Sequence, residues 1–316
     1  MRRNLIIDLF KVVLACMVVA IHGINPIEIS GIAYDMSINS IFRIAVPLFV
    51  LVSGYYFFYT IDNNTGWFKR VFILYVFWQV VYSHLWLENE YSMLGFMGLI
   101  FIGYYHLWYL PAMMFAAALL VILRRVNTIV MLCMIVLLFS VGLSIQYGFV
   151  YKLSGLEEYH YLIEKYSLLL SRNFLFFIFP FFCLGFLINK ERWVEKVGNI
   201  NLKPYIYALL IGLIMESFWF SFGKQQVNRD LLFFLLPLCP LIFLQLLKMK
   251  APCDWPSLSV VSSSIYFFHI MLLDFLGSFL SISSVFLVVF TCILASSLGG
   301  GVILLKYRFK YFKYVF

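Results

Sequence analysis

LIIDLFKVVLACMVVAIHGI, residues 5–24, is apolar over a length that can cross a bilayer, and its reading decides the fold. Lys11 and His22 interrupt it. Eleven residues are about three helical turns, so the two side chains stand on one stripe, offset by about 20° and roughly 16 Å apart along the axis. Ionisable groups at membrane depth are costly and usually face a polar cavity. A cation near one end and an imidazole near the other therefore predict a buried polar path. The segment carries Asp8 and Lys11 and lacks a small-x-small site before Pro26, so it reads as a first membrane helix and not as a cleavable leader.

The rest of the chain extends this reading. Of its 316 residues, 64% are hydrophobic and 12% charged, and the mean hydropathy is +0.95, which excludes the soluble globular class. The net charge of +8 comes from basic residues placed as pairs beside apolar segments. That pattern fits membrane topology, with the lipid bilayer as partner and no nucleic acid. Cys16, Cys133, Cys183, Cys239, Cys253 and Cys292 show no CxxC or CxxH spacing, and they imply neither a metal nor a disulfide.

The expected fold is all-α, with ten transmembrane helices in a single domain over residues 1–316. Apolar segments of about the required length lie near 5–25, 37–59, 70–87, 106–123, 127–146, 170–189, 203–222, 231–247, 258–280 and 283–305. The apolar stretch 92–105 is too short to span and predicts a re-entrant or interfacial helix. With both termini in the cytoplasm, sixteen basic residues fall inside, among them Arg2, Arg3, Lys69, Arg70, Arg124 and Arg125. Only Lys152, Lys165, Arg172, Lys224 and Arg229 fall outside, so the positive-inside rule favours this orientation. The longest outer connection, 147–171, carries Glu157, Glu158, His160 and Glu164; it could cover a site or be a solvated surface helix.

Several residues could carry chemistry. Asp8 lies three positions before Lys11, where the two can neutralise each other; Lys11 could equally hold an anionic group of a substrate. His22 falls near the outer boundary and is suited to remove a proton from a hydroxyl near neutral pH. Arg43 lies at a similar depth and needs an anionic or carbonyl partner, and Pro47 removes the hydrogen bond to the Arg43 carbonyl. His106, Trp108 and Tyr109 could be an aromatic belt or the lining of a sugar site. Glu216 falls at the depth of Arg43 and His22, where an ion pair or acid–base link is plausible. Ser264, Tyr266 and His269 could line a pocket or hydrogen-bond between helices, and Asp274 is too far round the helix to pair with His269. His84 and His160 have no partner at a metal-ligand spacing. A Gly-x-Ser-x-Gly elbow is absent.

In order along the chain, these motifs resemble the acyltransferase-3 family of integral membrane acyltransferases. The likeness rests on Lys11 and His22 with ten positions between them; on Arg43, Val46, Pro47 and Phe49 followed by Ser53 and Gly54; on the His-Leu-Trp-Tyr-Leu-Pro run from His106; and on the Ser-Ile-Tyr-Phe-Phe-His run from Ser264. It covers essentially the whole chain. Lysine stands at position 11 where the family more often has arginine, which replaces a forked guanidinium by a point charge.

The resemblance implies an acyl-CoA donor, most often acetyl-CoA, supplied from the cytoplasm. It implies as acceptor a hydroxyl of an extracytoplasmic cell-surface glycan or its lipid-linked precursor. Lys11 would meet the donor, and His22 would act as general base or carry the acyl group transiently. Arg43, with His106, would orient His22 or stabilise the oxyanion, while Ser53, Trp108, Tyr109, Glu216, Ser264, Tyr266 and His269 remain pocket candidates. No metal is expected. The setting would be a bacterial inner (plasma) membrane, with a stand-alone enzyme beside polysaccharide-synthesis proteins. The rival readings are a transporter of a glycan intermediate or small solute, against which no internal repeat is visible, and a scaffold in a polysaccharide-synthesis complex.

Overall fold

In a computed structural model, residues 3–87, 92–150, 169–222, 229–249, 251–253 and 257–308 are described. The helices, in chain order, are α1 (Leu5–Gly23), α2 (Gly31–Ser37), α3 (Ala45–Phe57), α4 (Thr65–Val81), α5 (Ser83–Trp86), α6 (Met93–Ile102), α7 (Tyr109–Leu123), α8 (Thr128–Val150), α9 (Phe179–Lys190), α10 (Trp193–Val197), α11 (Lys203–Phe222), α12 (Leu235–Lys248), α13 (Ser257–Phe279) and α14 (Ser284–Arg308). Arg3–Asn4 pairs antiparallel with Pro252–Cys253, a small departure from the expected all-α chain.

Among the described residues, six helical stretches are long and apolar enough to cross a membrane: Leu5–Gly23, Gly31–Asn63, Tyr105–Leu123, Thr128–Gly148, Leu258–Phe279 and Ser284–Leu305. The chain is thus a multi-pass membrane protein. The other four expected spans are also helical but do not join that group. Phe174–Lys190 and Leu235–Lys248 are shorter apolar helices. At 14 residues, α12 extends roughly 21 Å, short of a hydrocarbon core of about 30 Å. Helix α4 has 17 residues and carries Lys69 and Arg70 near its start, and α11 covers the remaining segment. Of the outer connection expected over 147–171, residues 151–168, with Glu157, Glu158, His160 and Glu164, lie outside the described residues.

The chain divides into two compact units. The first comprises Met1–Glu28, Thr60–Phe115 and Lys250–Phe316, and the second Ile29–Tyr59 and Ala116–Met249.

In the first unit α1 packs on α13 and α14, burying Leu14, Ala15, Val18 and Val19 against faces that include Ile265 and Ala295. Asn4 starts α1 by accepting the Ile6 amide at 3.1 Å, and the Ser262 hydroxyl donates to the Lys11 carbonyl at 3.0 Å, tying α13 to α1. Trp78 of α4 stacks on Phe267 with centroids 4.8 Å apart. The last carbonyls of the short apolar helix α6 lack a full set of helix partners, which a lipid environment would not supply. Two α4 side chains contribute: the Tyr75 hydroxyl donates to Ile100 O at 2.6 Å, and Gln79 Nε2 donates at 3.0 Å to Leu99 O, which also accepts the Gly103 amide.

In the second unit α3 packs on α9 and α12, and α11 on α12 and α2. Phe57 meets Phe182 at 5.3 Å, and Phe139 of α8 meets Phe181 at 5.6 Å. Pro47 sits in the first turn of α3, after a 3-10 turn at Ile41–Ile44, so its missing N–H falls where helix donors are unpaired anyway and no kink is needed. Large apolar side chains on both units remain exposed, such as Val80, Ile122, Ile129 and Phe286, as expected of surfaces that meet lipid.

Candidate functional site

The first unit gathers the polar motifs of three separate stretches. His22, in the last turn of α1, has its ring 5.1 Å from that of Tyr105 and 5.4 Å from that of His269 on α13. His106 stands 4.8 Å from His269 and 5.4 Å from Tyr266, centroid to centroid. Tyr82 lies edge-on to His106 at 5.0 Å, and its hydroxyl donates to Phe267 O at 2.6 Å. The result is a knot of three imidazoles walled by tyrosines.

Local backbone geometry explains how His106 gets there. Gly103 (φ 96°) and Tyr105 (φ 47°) both adopt left-handed conformations ahead of the 3-10 turn Tyr105–Trp108. For tyrosine that region costs roughly 1–2 kcal/mol, and the strain turns the Tyr105 ring onto His22 and the His106 ring onto His269. The Tyr266 hydroxyl locks the turn by donating to the His106 carbonyl at 2.7 Å. Trp108 closes the turn, and Tyr109 begins α7 with its ring 5.9 Å from Tyr266. Pro111 falls in the first turn of α7.

His269 Nδ1 lies 2.6 Å from the Tyr266 carbonyl. Its Nε2, both ring nitrogens of His106 and the Ser264 hydroxyl are buried without a hydrogen-bond partner among the described residues. The ring atoms do not form a ligand set: no cluster of His, Cys, Asp or Glu among the described residues could hold a metal ion. His269 and Asp274 do have the spacing His-x-x-x-x-Asp, but five residues along the continuous helix α13 is about 140° of rotation, and Asp274 is exposed. His84 bonds the Val81 carbonyl at 2.9 Å and takes no part. Towards the other end of α1, the Lys11 ammonium donates to Asp8 at 2.8 Å, the local pair that the spacing suggested.

The second unit holds the remaining expected residues in a different arrangement. Arg43 Nη1 forms a short ion pair with Asp230, and Nη2 donates to Asn39 Oδ1 at 2.9 Å. Asn39 donates to Asp35 at 2.7 Å, Arg172 reaches the other Asp230 oxygen at 3.2 Å, and the fully buried Arg229 pairs with Asp35 at 3.3 Å and lies 4.4 Å over the Phe220 ring. Sequence reasoning missed Asp35, Asn39 and Asp230. The spacing of four between Asp35, Asn39 and Arg43 was the available signal.

Glu216 makes no ion pair with Arg43. Its carboxylate accepts the Tyr147 hydroxyl and the amides of Phe233 (2.7 Å) and Phe234 (3.3 Å), which precede α12. It serves as a helix-start acceptor, because those amides have no partner within α12. The Ser53 hydroxyl donates to Phe49 O at 2.9 Å on its own helix, and it is the adjacent Gly54 that the packing requires.

Two curated proteins are similar to much of the chain. An amino-acid racemase of Enterococcus faecalis is 28% identical over 286 residues, covering 83% of this chain and 40% of that protein. A serine/alanine racemase of Enterococcus gallinarum is 28% identical over 336 residues, covering 99% of this chain and 47% of that protein. The chain thus spans less than half the length of these curated relatives. No solved structure matches it. The family model described as an acyltransferase domain matches residues 4–306, nearly the whole chain, and the protein belongs to the acyltransferase-3 family.

Proposed function

We propose that the protein transfers an acetyl or similar short acyl group from acyl-CoA, supplied on the cytoplasmic side, to a hydroxyl of an extracytoplasmic cell-surface glycan or its lipid-linked precursor. The observation that carries the reading is the meeting of His22 with His106 and His269, two buried imidazoles with unpartnered ring nitrogens. Such nitrogens can accept the proton of a hydroxyl that attacks a thioester. The names of the racemase relatives describe proteins of which this chain matches less than half, so racemisation does not carry over.

In this reading ten crossings place both termini in the cytoplasm of a bacterial plasma membrane. His22 acts on the acceptor hydroxyl as general base or takes the acyl group itself. Lys11 meets an anionic group of the donor while shared with Asp8, as a point charge and not a fork. Trp108, Tyr109 and Tyr266 offer aromatic faces to a sugar. The role expected for Arg43 at His22 is not carried forward: its guanidinium is held by Asp230 and Asn39, and His106 and His269 are what the first unit itself brings to His22. Proteins of polysaccharide synthesis would supply or receive the glycan.

Acetyl-CoA consumption by the purified protein in lipid nanodiscs tests the reading. Slow thioester cleavage that disappears in a folded His22→Ala variant supports it. A second reading, a carrier of a glycan intermediate or small solute, draws on the buried charges of Arg43, Asp230, Asp35 and Arg229, since ionisable groups at membrane depth also line transport paths. Solute flux without thioester consumption, even with membrane glycans present, would favour that carrier.

A further inference from the structure

His269 is fully buried, and its Nδ1 faces a carbonyl oxygen, that of Tyr266, at 2.6 Å. A carbonyl only accepts, so Nδ1 carries the proton and the neutral ring keeps its lone pair on Nε2. Among the described residues that nitrogen has no hydrogen-bond partner, nor do the two of His106, which is also buried. A buried polar atom without a partner costs about 1–3 kcal/mol. Three such atoms in one group of rings, with His22 5.4 Å from His269, mark a site for a ligand whose hydroxyls both donate and accept, because neutral His106 has one N–H and one lone pair to satisfy.

We propose that His269 is a second catalytic base of the acyl transfer: its Nε2 takes the proton of the acceptor hydroxyl, and His22 receives the acyl group. The assignment rests on the acyl-transfer reading above. An acylated imidazole is a poor base for the hydroxyl that attacks it: the acyl group draws electron density from the ring, and the lone pair left on its second nitrogen points away from the acyl carbon. The structure places a second, tautomerically fixed imidazole beside the first.

The two steps balance. First, a His22 nitrogen attacks the thioester carbonyl carbon; the C–S bond breaks with its electron pair on sulfur, and coenzyme A leaves as the thiol with the proton of the other His22 nitrogen. Second, the hydroxyl oxygen attacks the acyl carbon while its proton moves to His269 Nε2. The C–N bond then breaks with its pair returning to His22, and the proton passes from His269 to His22. Thioester and alcohol have become thiol and ester.

The test is rapid mixing of the nanodisc-embedded protein with acetyl-CoA, reading free thiol, with water as the acceptor. The wild type should release about one coenzyme A per chain in a burst and then turn over slowly. His269→Asn retains a donor for the Tyr266 carbonyl and removes Nε2. It should keep the burst while its steady rate falls about 10²–10⁴-fold; His269→Gln, which lacks a base, should do the same and serves if the first variant does not fold. His22→Ala should lose both phases. A His269→Asn steady rate within threefold of wild type, or a burst and steady rate that fall together, overturns the assignment alone.

A wild type that cleaves no thioester, even with membrane glycans present, overturns the acyl-transfer reading and this assignment with it. Histidine ¹⁵N NMR on the wild type needs no activity: Nδ1–H with bare Nε2 at His269 is expected, and the opposite tautomer overturns the proposal.

Discussion

Gly54 and Gly185 each lie where the facing main chain passes: a Cβ on Gly54 would stand 2.0 Å from the Phe182 carbonyl oxygen, and one on Gly185 2.1 Å from that of Leu51. Helix association in a membrane relies on such close approach, because lipid supplies no hydrophobic drive. Gly54→Ala or Gly185→Ala forces α3 and α9 apart, and backbone cannot yield as a side chain can. Overpacking of about 1–3 kcal/mol or more should lower the apparent melting temperature by roughly 2–10 °C. Gly66→Ala, with nothing within 4 Å of its Cβ, is the control. Equal melting of all three variants and wild type would sink this account of the Ser-Gly motif.

Removing one partner of the Arg43–Asp230 pair leaves a buried charge, since the two side chains are only 8% and 10% exposed. Arg43→Ala and Asp230→Asn should each destabilise by about 3–5 kcal/mol. Arg43→Lys should recover only part of that loss, because an ammonium does not reproduce the fork that serves Asp230 and Asn39 together. Arg172→Ala, whose side chain is 28% exposed, should cost about 1 kcal/mol or less. Thermal melts in nanodiscs read all four. An Arg43→Ala protein that melts like wild type but has no activity would instead return Arg43 to the chemistry.

How far the sequence reached can be argued from these residues. Lys11 and His22 were legible as one stripe because a single helix fixes their relation, and α1 carries both. The motifs at His106 and Ser264 were legible as polar interruptions of apolar segments, and Tyr266, His106 and His269 do meet. The partner of Arg43 was not legible: Asp230 lies 187 positions away in a short non-helical stretch, where a charge reads as solvated loop. Matching depths suggested Glu216 for Arg43, but depth does not determine azimuth, and Glu216 turns to the start of α12. Periodicity identifies a buried face without identifying the helix that covers it.

Tyr105 holds a left-handed backbone with its ring against His22, yet the residue is 55% exposed. A residue kept in strain with little packing to show for it is expected where geometry serves a site. Tyr105→Asn should leave the melting temperature within a few degrees, because asparagine tolerates this conformation. Acetyl-CoA turnover should fall, because the ring that abuts His22 is gone. Unchanged turnover would show the strained turn to be a simple connection.

Glu191 follows α9 and accepts the Thr128 hydroxyl at 2.6 Å and the Lys196 ammonium at 3.3 Å. These bonds, the Thr128 hydroxyl foremost, hold its carboxyl below its ordinary value of 4.5. A depressed carboxyl stabilises the fold fully above the unfolded-state value, and the contribution disappears as pH falls through the folded-state value. Thr128→Val removes the principal donor. The gap in melting temperature between wild type and variant should therefore be widest near neutral pH and narrow as the pH drops below about 4. Melting curves from pH 7 down to pH 3 check this; a gap independent of pH would mean that Thr128 acts through packing at the start of α8 and not through the carboxylate.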